Sequence, residues 1–309
     1  MEAGKKVPLI KQRGFQLFLM LTPFIILVFI LSYLPLYGWI YAFFNYKPGI
    51  PLTWDKFVGF KNFTNMVTNK YTFNDVVRVM RNTLAMSGLG FLTSPLPMIF
   101  AIFLTEIKFA PVKRVVQTLT TIPNFISWVL VYAVAYSMFS VGDGFVNRLL
   151  ISTGAISDGI NFLAAKDHIW LIMLAWGTWK GLGWGAVMYF AAISGIDQEQ
   201  YEAAYMDGAG RFGVMWHITL PGLLPTYFVL LILSIANMIN SGMDQYLVFQ
   251  NAMNKSTIEV LDLYVYNIGF MGTNYSLSTA VSMLKSIISV FLLFSANGLS
   301  KLFRDQSIF

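Results

Sequence analysis

An all-α polytopic membrane fold with six transmembrane helices is the architecture this sequence predicts, on three observations. The 309-residue chain is 56% hydrophobic and only 12% charged, where soluble domains carry about 25% charged residues. Apolar runs near the ~20 residues that cross a bilayer as a helix recur along it, at residues 15–44, 83–105, 118–139, 169–193, 222–241 and 277–299. These runs are too long and too uniformly apolar for the alternating barrel strands of about 9–11 residues. Only helices and closed barrels satisfy every backbone group in lipid, so helices remain.

The first span follows Lys5, Lys6, Lys11 and Arg13, a basic stretch that favours a cytoplasmic N-terminus. Residues 1–14 read as a cytoplasmic tail, residues 15–300 as one transmembrane domain, and residues 301–309 as a second cytoplasmic tail. The opening apolar run is long and lacks a small-residue cleavage site, so it reads as an uncleaved anchor. Lys and Arg divide almost evenly between the two sides, which leaves the orientation of the whole chain weakly set by charge. The net charge of +6 belongs to residues flanking spans and does not indicate nucleic acid.

Between the first and second spans, residues 54–60 (Trp54 to Phe60) read as a short amphipathic element at the interface or a plain surface loop. Pro95 and Pro97 in the second span and Pro123 at the start of the third predict kinks or breaks, as in discontinuous helices beside a pathway or in ordinary irregular packing. In the fourth span, Gly177, Gly181 and Gly185 form a small-residue stripe at which a second helix could approach. Trp176, Lys180 and Trp184 make the neighbouring stripe, suited to something large and partly polar.

The connection at residues 197–221 is several times the usual ~2–8 residues between helices. Asp197 is placed to cap a helix, with Gln200 three residues on as a capping-box variant. Gly208 is placed to end that helix in left-handed geometry. A second short helix is expected over residues 211–217, stopping before Pro221. Ala203 and Ala204 are small enough to seat in a partner's groove, while Glu202, Asp207 and Arg211 offer charged contacts.

Intramembrane polar groups are functional candidates. Ser234, Asn237, Asn240 and Ser241 are spaced to share one helix face, and Asn124 follows Pro123. Amides donate and accept, and aromatic faces such as Trp176 and Trp184 suit sugar C–H groups. The same asparagines could instead bond a neighbouring helix, and the tryptophans could be packing groups. Lys180 and Lys285 lack an evident acidic partner and could snorkel, meet a partner subunit or attract an anionic substrate. The chain has no GxxxxGK[ST] phosphate loop, no cysteine, and no clustered metal ligands, so neither a nucleotide nor a metal cofactor is expected in it. An intramembrane enzyme is disfavoured by the lack of any nucleophile–base or metal constellation, and a proton-coupled carrier because no span holds a carboxylate away from its ends.

Glu202-Ala203-Ala204, Gly208 and Ile218-x-Leu220-Pro221 resemble the EAA motif (EAA-x3-G-x9-I-x-LP) of permease subunits in bacterial ABC importers. The wider context resembles carbohydrate permeases of the MalF, UgpA and LplB type, with a MetI/MalF-like transmembrane domain. The resemblance implies that Glu202, Ala203, Ala204, Asp207, Gly208 and Arg211 form a cytoplasmic coupling helix docking an ATPase. It also implies a second homologous permease as heterodimer partner, two ATPase copies that bind ATP and Mg, an extracytoplasmic solute-binding protein and a bacterial cell-membrane location. Aligned outward from the motif, the maltose permease's sugar contacts fall on Asn124, Gly181, Trp184, Asn237 and Asn240, with Gly177, Lys180, Thr120 and Ala236 differing in type. The expected cargo is an oligosaccharide or another complex carbohydrate. A peptide or amino acid is the alternative.

Overall fold

The computed structural model describes residues 13–304 except residue 165. Lys5, Lys6, Lys11 and most of the expected cytoplasmic tails therefore lie outside the described residues. The described residues form helices, with one isolated bridge between Phe44 and Phe57 and no strand.

Helix α1 (Arg13–Val28) widens into a π turn at Phe29–Tyr33 and then tightens into a 3-10 stretch at Leu34–Phe43. Pro35 accounts for the change, since its ring would clash with the carbonyl four residues back and it has no N–H to give. The wider turn carries the Leu34 N–H to the Phe29 carbonyl instead. The expected amphipathic element lies slightly downstream of residues 54–60. Trp54–Lys56 is a single 3-10 turn packed on Phe44 and Phe57, and the helix proper is α2 (Lys61–Thr68).

Helix α3 (Lys70–Thr93) begins well before the expected second span, with the Asn69 side chain accepting from the N–H groups of Tyr71 and Thr72. Its first turns are polar yet partly buried, because Arg78 pairs with Asp75 at 2.9 Å and with the buried Glu259 at 2.8 Å. Pro95 and Pro97 interrupt the α pattern only locally, at residues 94–95, and α4 (Leu96–Thr105) continues the same span. The third span is broken outright. Helix α5 (Ala110–Thr121) and helix α6 (Trp128–Phe139) meet at 106° across a 3-10 turn at Ile122–Phe125 containing Pro123. Ser127 starts α6 by accepting from the Leu130 N–H.

After α7 (Phe145–Ser152), the 26-residue α8 (Ile169–Ser194) runs through the middle of the bundle and touches α3, α4, α5 and the break. At 1.5 Å per residue it spans about 39 Å. Next come α9 (Gln198–Met206), α10 (Arg211–Val214) and α11 (Leu220–Ala236). Three short helices follow, α12 (Asp244–Phe249), α13 (Lys255–Ile258) and α14 (Leu261–Tyr266), before α15 (Tyr275–Arg304) closes the fold against α11, α14 and the 3-10 part of α1.

Among the described residues, four helices are long and apolar enough to cross a membrane, and the bent α5–α6 pair raises the number to five. The remaining expected span, the fourth, falls on α8. It has the length, but its glycines, tryptophans and Lys180 dilute its apolarity.

Two expectations change in this region. Residues 211–217 are not a separate helix that stops before Pro221. Arg211–Ala236 is one continuous helical rod, and a π turn at Met215–Thr219 absorbs the proline, with Leu220 N–H reaching the Met215 carbonyl. The polar face expected on the fifth span is also cut short. Helix α11 ends at Ala236, and Asn237 is its C-cap, so Asn240 and Ser241 sit in the turn beyond.

The core divides into three apolar clusters. One joins Met98, Ala101 and Ile102 of α4 to Ala186, Tyr189, Met215 and Leu223. The other two centre on Ile169, Met173, Phe249 and Leu263, and on Val79, Leu261, Ala280 and Val281. In α1 and its continuation, the residues from Leu17 to Leu36 are almost all exposed and overwhelmingly apolar, as a lipid-facing helix requires.

Candidate functional site

At one end of the bundle α9 stands out from the core. The Asp197 side chain caps it by accepting from the Glu199 N–H at 3.0 Å. It closes in a Schellman motif, in which Gly208 N–H bonds the Tyr205 carbonyl (3.1 Å) and Ala209 N–H bonds the Ala204 carbonyl (2.9 Å). Gly208 holds φ +75°, where a Cβ would crowd the following carbonyl. Glu202, Ala203, Asp207, Gly208 and Arg211 are exposed, and Ala204 is half-buried. Met206 is 88% exposed, with Tyr205, Phe212 and Trp216 also open. Exposed apolar side chains thus surround charged ones here, the composition of a surface that contacts protein or membrane. A groove of about 460 Å³ beside it is bounded by Thr105, Glu106, Lys108, Tyr205 and Arg211.

Helix α9 is also tied to the bundle. Tyr201 Oη and Thr219 Oγ1 are 3.1 Å apart, and a Cβ on Gly222 would lie 2.7 Å from Ile196 Cδ1. These contacts join α9 and Ile196, just before its cap, to Thr219 and Gly222 at the start of α11.

The residues expected to meet substrate divide in two. Lys180 is buried at 9% exposure and donates to the carbonyls of Pro123 (3.1 Å) and Asn124 (2.6 Å). Its ammonium also lies 5.4 Å from the centre of the Trp128 ring. Asn124 and Lys180 are thus together, through the Asn124 backbone. Trp184 is half-exposed with its ring set edge-on to Phe125 at 5.6 Å. Asn237 donates to the Leu233 carbonyl (2.9 Å), and Asn240 reaches Ser289 Oγ (3.3 Å) and Asn237 Oδ1 (3.4 Å).

Trp176 does not share surroundings with Trp184. It packs among Phe139, Trp179 and Phe249 and lines an apolar cleft of about 480 Å³. The small-residue stripe is corrected as well. A Cβ at Gly181 would meet nothing within 4 Å, at Gly177 only Gln245, and at Gly185 the Pro97 ring. The close backbone approach is at Gly183, where a Cβ would collide with the Thr120 carbonyl and lie 2.7 Å from Thr121 N.

Lys285 is not without an acid: it pairs with Asp262 of α14. Asp262 also accepts from the Gly242 N–H at 2.9 Å, so the turn after Asn240 is pinned to α15 through this pair. Sequence reasoning missed both Asp262 and Glu259. The signal available was that an intramembrane lysine needs a carboxylate and that few acids lie between the fifth and sixth spans.

The family of binding-protein-dependent transport system inner membrane components matches residues 93–305. The chain belongs to this family. As an inner membrane component it is a membrane permease, in agreement with its apolar helices and with the exposed α9. The protein LplB of Bacillus subtilis strain 168 is 39% identical over 295 residues, covering 95% of this chain and 91% of that protein. The polygalacturonan/rhamnogalacturonan transport system permease protein YteP of the same strain is 35% identical, covering 98% and 92%. A chain of a bacterial alginate ABC transporter, solved in complex with an alginate pentasaccharide-bound periplasmic protein, shares the fold with a TM-score of 0.84 at 29% identity, covering 97% and 98%.

Proposed function

We propose that this chain is a permease subunit of an ABC importer that carries an oligosaccharide into the cell. The observation that carries the reading is the exposed α9 with its Schellman closure at Gly208, standing on a chain whose relatives at 35–39% identity cover nearly all of it. YteP is named for an acidic plant polysaccharide and the structural neighbour for alginate, which favours a carbohydrate over a peptide or amino acid. In this reading α9 faces the cytoplasm and seats in an ATPase groove. A second, homologous permease completes the pathway, two ATPase copies hydrolyse ATP, and a solute-binding protein delivers the sugar on the opposite side.

Closure of the ATPases pushes α9, and the Tyr201–Thr219 contact passes the displacement to α11. At the far end of α11 lie Asn237 and Asn240, tethered to α15. Asn124, Trp184, Asn237 and Asn240 would line the pathway and exchange the sugar's hydration for amide hydrogen bonds and aromatic surface.

The test is reconstitution with partner permease, ATPase and binding protein. Glu202→Lys is expected to abolish both uptake and stimulated ATP hydrolysis while the subunit still inserts. Full transport by that variant removes α9 as the coupling element. A wild-type complex that accumulates peptides but no labelled oligosaccharide removes the carbohydrate.

A further inference from the structure

The break in the third span borders an open cleft of about 450 Å³ between α6, α8 and α12, lined by Ser127, Trp128, Lys180, Asp244, Leu247 and Val248. Its size falls within the ~300–1,000 Å³ of small-molecule sites. Its chemistry is unusual for an apolar bundle, because a cation, a carboxylate, a hydroxyl and an indole converge on it.

Each polar group keeps unused hydrogen-bonding capacity. The Lys180 ammonium has three donors and commits two, to the Pro123 and Asn124 carbonyls. The Ser127 hydroxyl accepts from the Leu130 N–H at 3.4 Å, which leaves its own proton to give. Asp244 is exposed and takes part in none of the ion pairs among the described residues. It stands in the first turn of α12.

We propose that this cleft is a subsite for a single ring of the transported saccharide. Asp244 accepts from two adjacent ring hydroxyls, Ser127 donates to a third oxygen, the Lys180 charge attracts a ring oxygen or carboxylate, and the Trp128 face not taken by Lys180 covers the ring's C–H face. A carboxylate is the group that takes two neighbouring hydroxyls at once, since it is acceptor-only with two oxygens. The proposal rests on the carbohydrate reading above and adds to it three residues outside the aligned contact positions: Ser127, Trp128 and Asp244. Trp176, by contrast, lines a separate apolar cleft and has no part in this site.

The experiment measures saccharide accumulated and ATP hydrolysed together, in proteoliposomes holding the complete transporter and driven by saccharide-loaded binding protein. Asp244→Asn and Ser127→Ala are each expected to lower saccharide delivered per ATP, by about tenfold or more for the charged acceptor. Asp244→Glu should recover part of the loss, and the remote Asp158→Asn should leave the ratio unchanged. A ratio equal to wild type in both Asp244→Asn and Ser127→Ala overturns the subsite. If Asp244→Asn fails to assemble, Ser127→Ala decides alone, and an unchanged ratio in that variant overturns the subsite as well. A wild-type complex that hydrolyses ATP but accumulates no saccharide overturns the carbohydrate reading beneath it instead.

Discussion

At Gly208 a positive φ and empty surroundings coincide: nothing lies within 4 Å of a Cβ built there. Substitution is therefore opposed by backbone conformation alone. Gly208→Ala should cost about 1–2 kcal/mol of local closure, loosening α9 without unfolding the bundle, and Gly208→Asn should cost less because asparagine tolerates this region. Stimulated ATP hydrolysis in the reconstituted complex should fall in the order glycine, asparagine, alanine. Gly183 shows the opposite situation, with a common backbone and no room. Gly183→Leu should lower the thermal midpoint of the purified subunit, by about 1–3 kcal/mol of overpacking. Both glycines stand in the sequence, yet only one was legible there. A glycine shortly after a helical EAA announces a C-cap, whereas nothing local to Gly183 tells that Thr120, some sixty residues earlier, passes over it.

At the level of elements, the prolines announced their effects more clearly than their forms. Pro123 marks a break as expected, but Pro95 and Pro97 only interrupt a continuous Lys70–Thr105 span and Pro221 is absorbed by a π turn, so α10 and α11 form one rod. Hydropathy alone could not separate these outcomes, because the choice depends on whether a neighbour supplies bonds to the freed carbonyls. The pair Lys285–Asp262 belongs to the same scale, joining α15 to α14 and, through Gly242, to the turn after α11. Both side chains keep some exposure. Asp262→Asn should therefore destabilise by at most the ~3–5 kcal/mol of breaking a buried pair. The double variant Asp262→Asn with Lys285→Met should recover much of the loss. Thermal melts of the three variants beside wild type check this, and a double variant no more stable than Asp262→Asn would refute the coupling.

For the whole molecule, the helical membrane fold was legible from composition and run length, while the number of spans was less so. Helix α8 is the reason: Lys180 and Gly183 are buried against neighbouring helices while Trp179 and Trp184 are half-exposed, and together such residues lower its apolarity. The absence of cysteine from all 309 residues makes the orientation directly measurable. A single cysteine at Met206 on α9 and another at Tyr71, both more than 80% exposed, should label with a membrane-impermeant maleimide from opposite sides of sealed vesicles. Labelling of both from the same side would contradict the arrangement of α3 and α9 at opposite ends.

The ammonium of Lys180 on the carbonyls of Pro123 and Asn124 also bears on how the chain enters a bilayer. Non-helical backbone survives at membrane depth only where protein encloses it, and here the enclosing group comes from a helix made later in synthesis. The α5–α6 pair cannot settle alone in lipid without stranding the Asn124 carbonyl, at a cost of several kcal/mol, whereas the Pro123 carbonyl also accepts from the Ile126 N–H. Until α8 emerges, that pair must linger beside the insertion machinery or in the headgroup layer. The third and fourth spans are therefore expected to insert as one unit, and a ribosome stalled between them should leave the third span extractable.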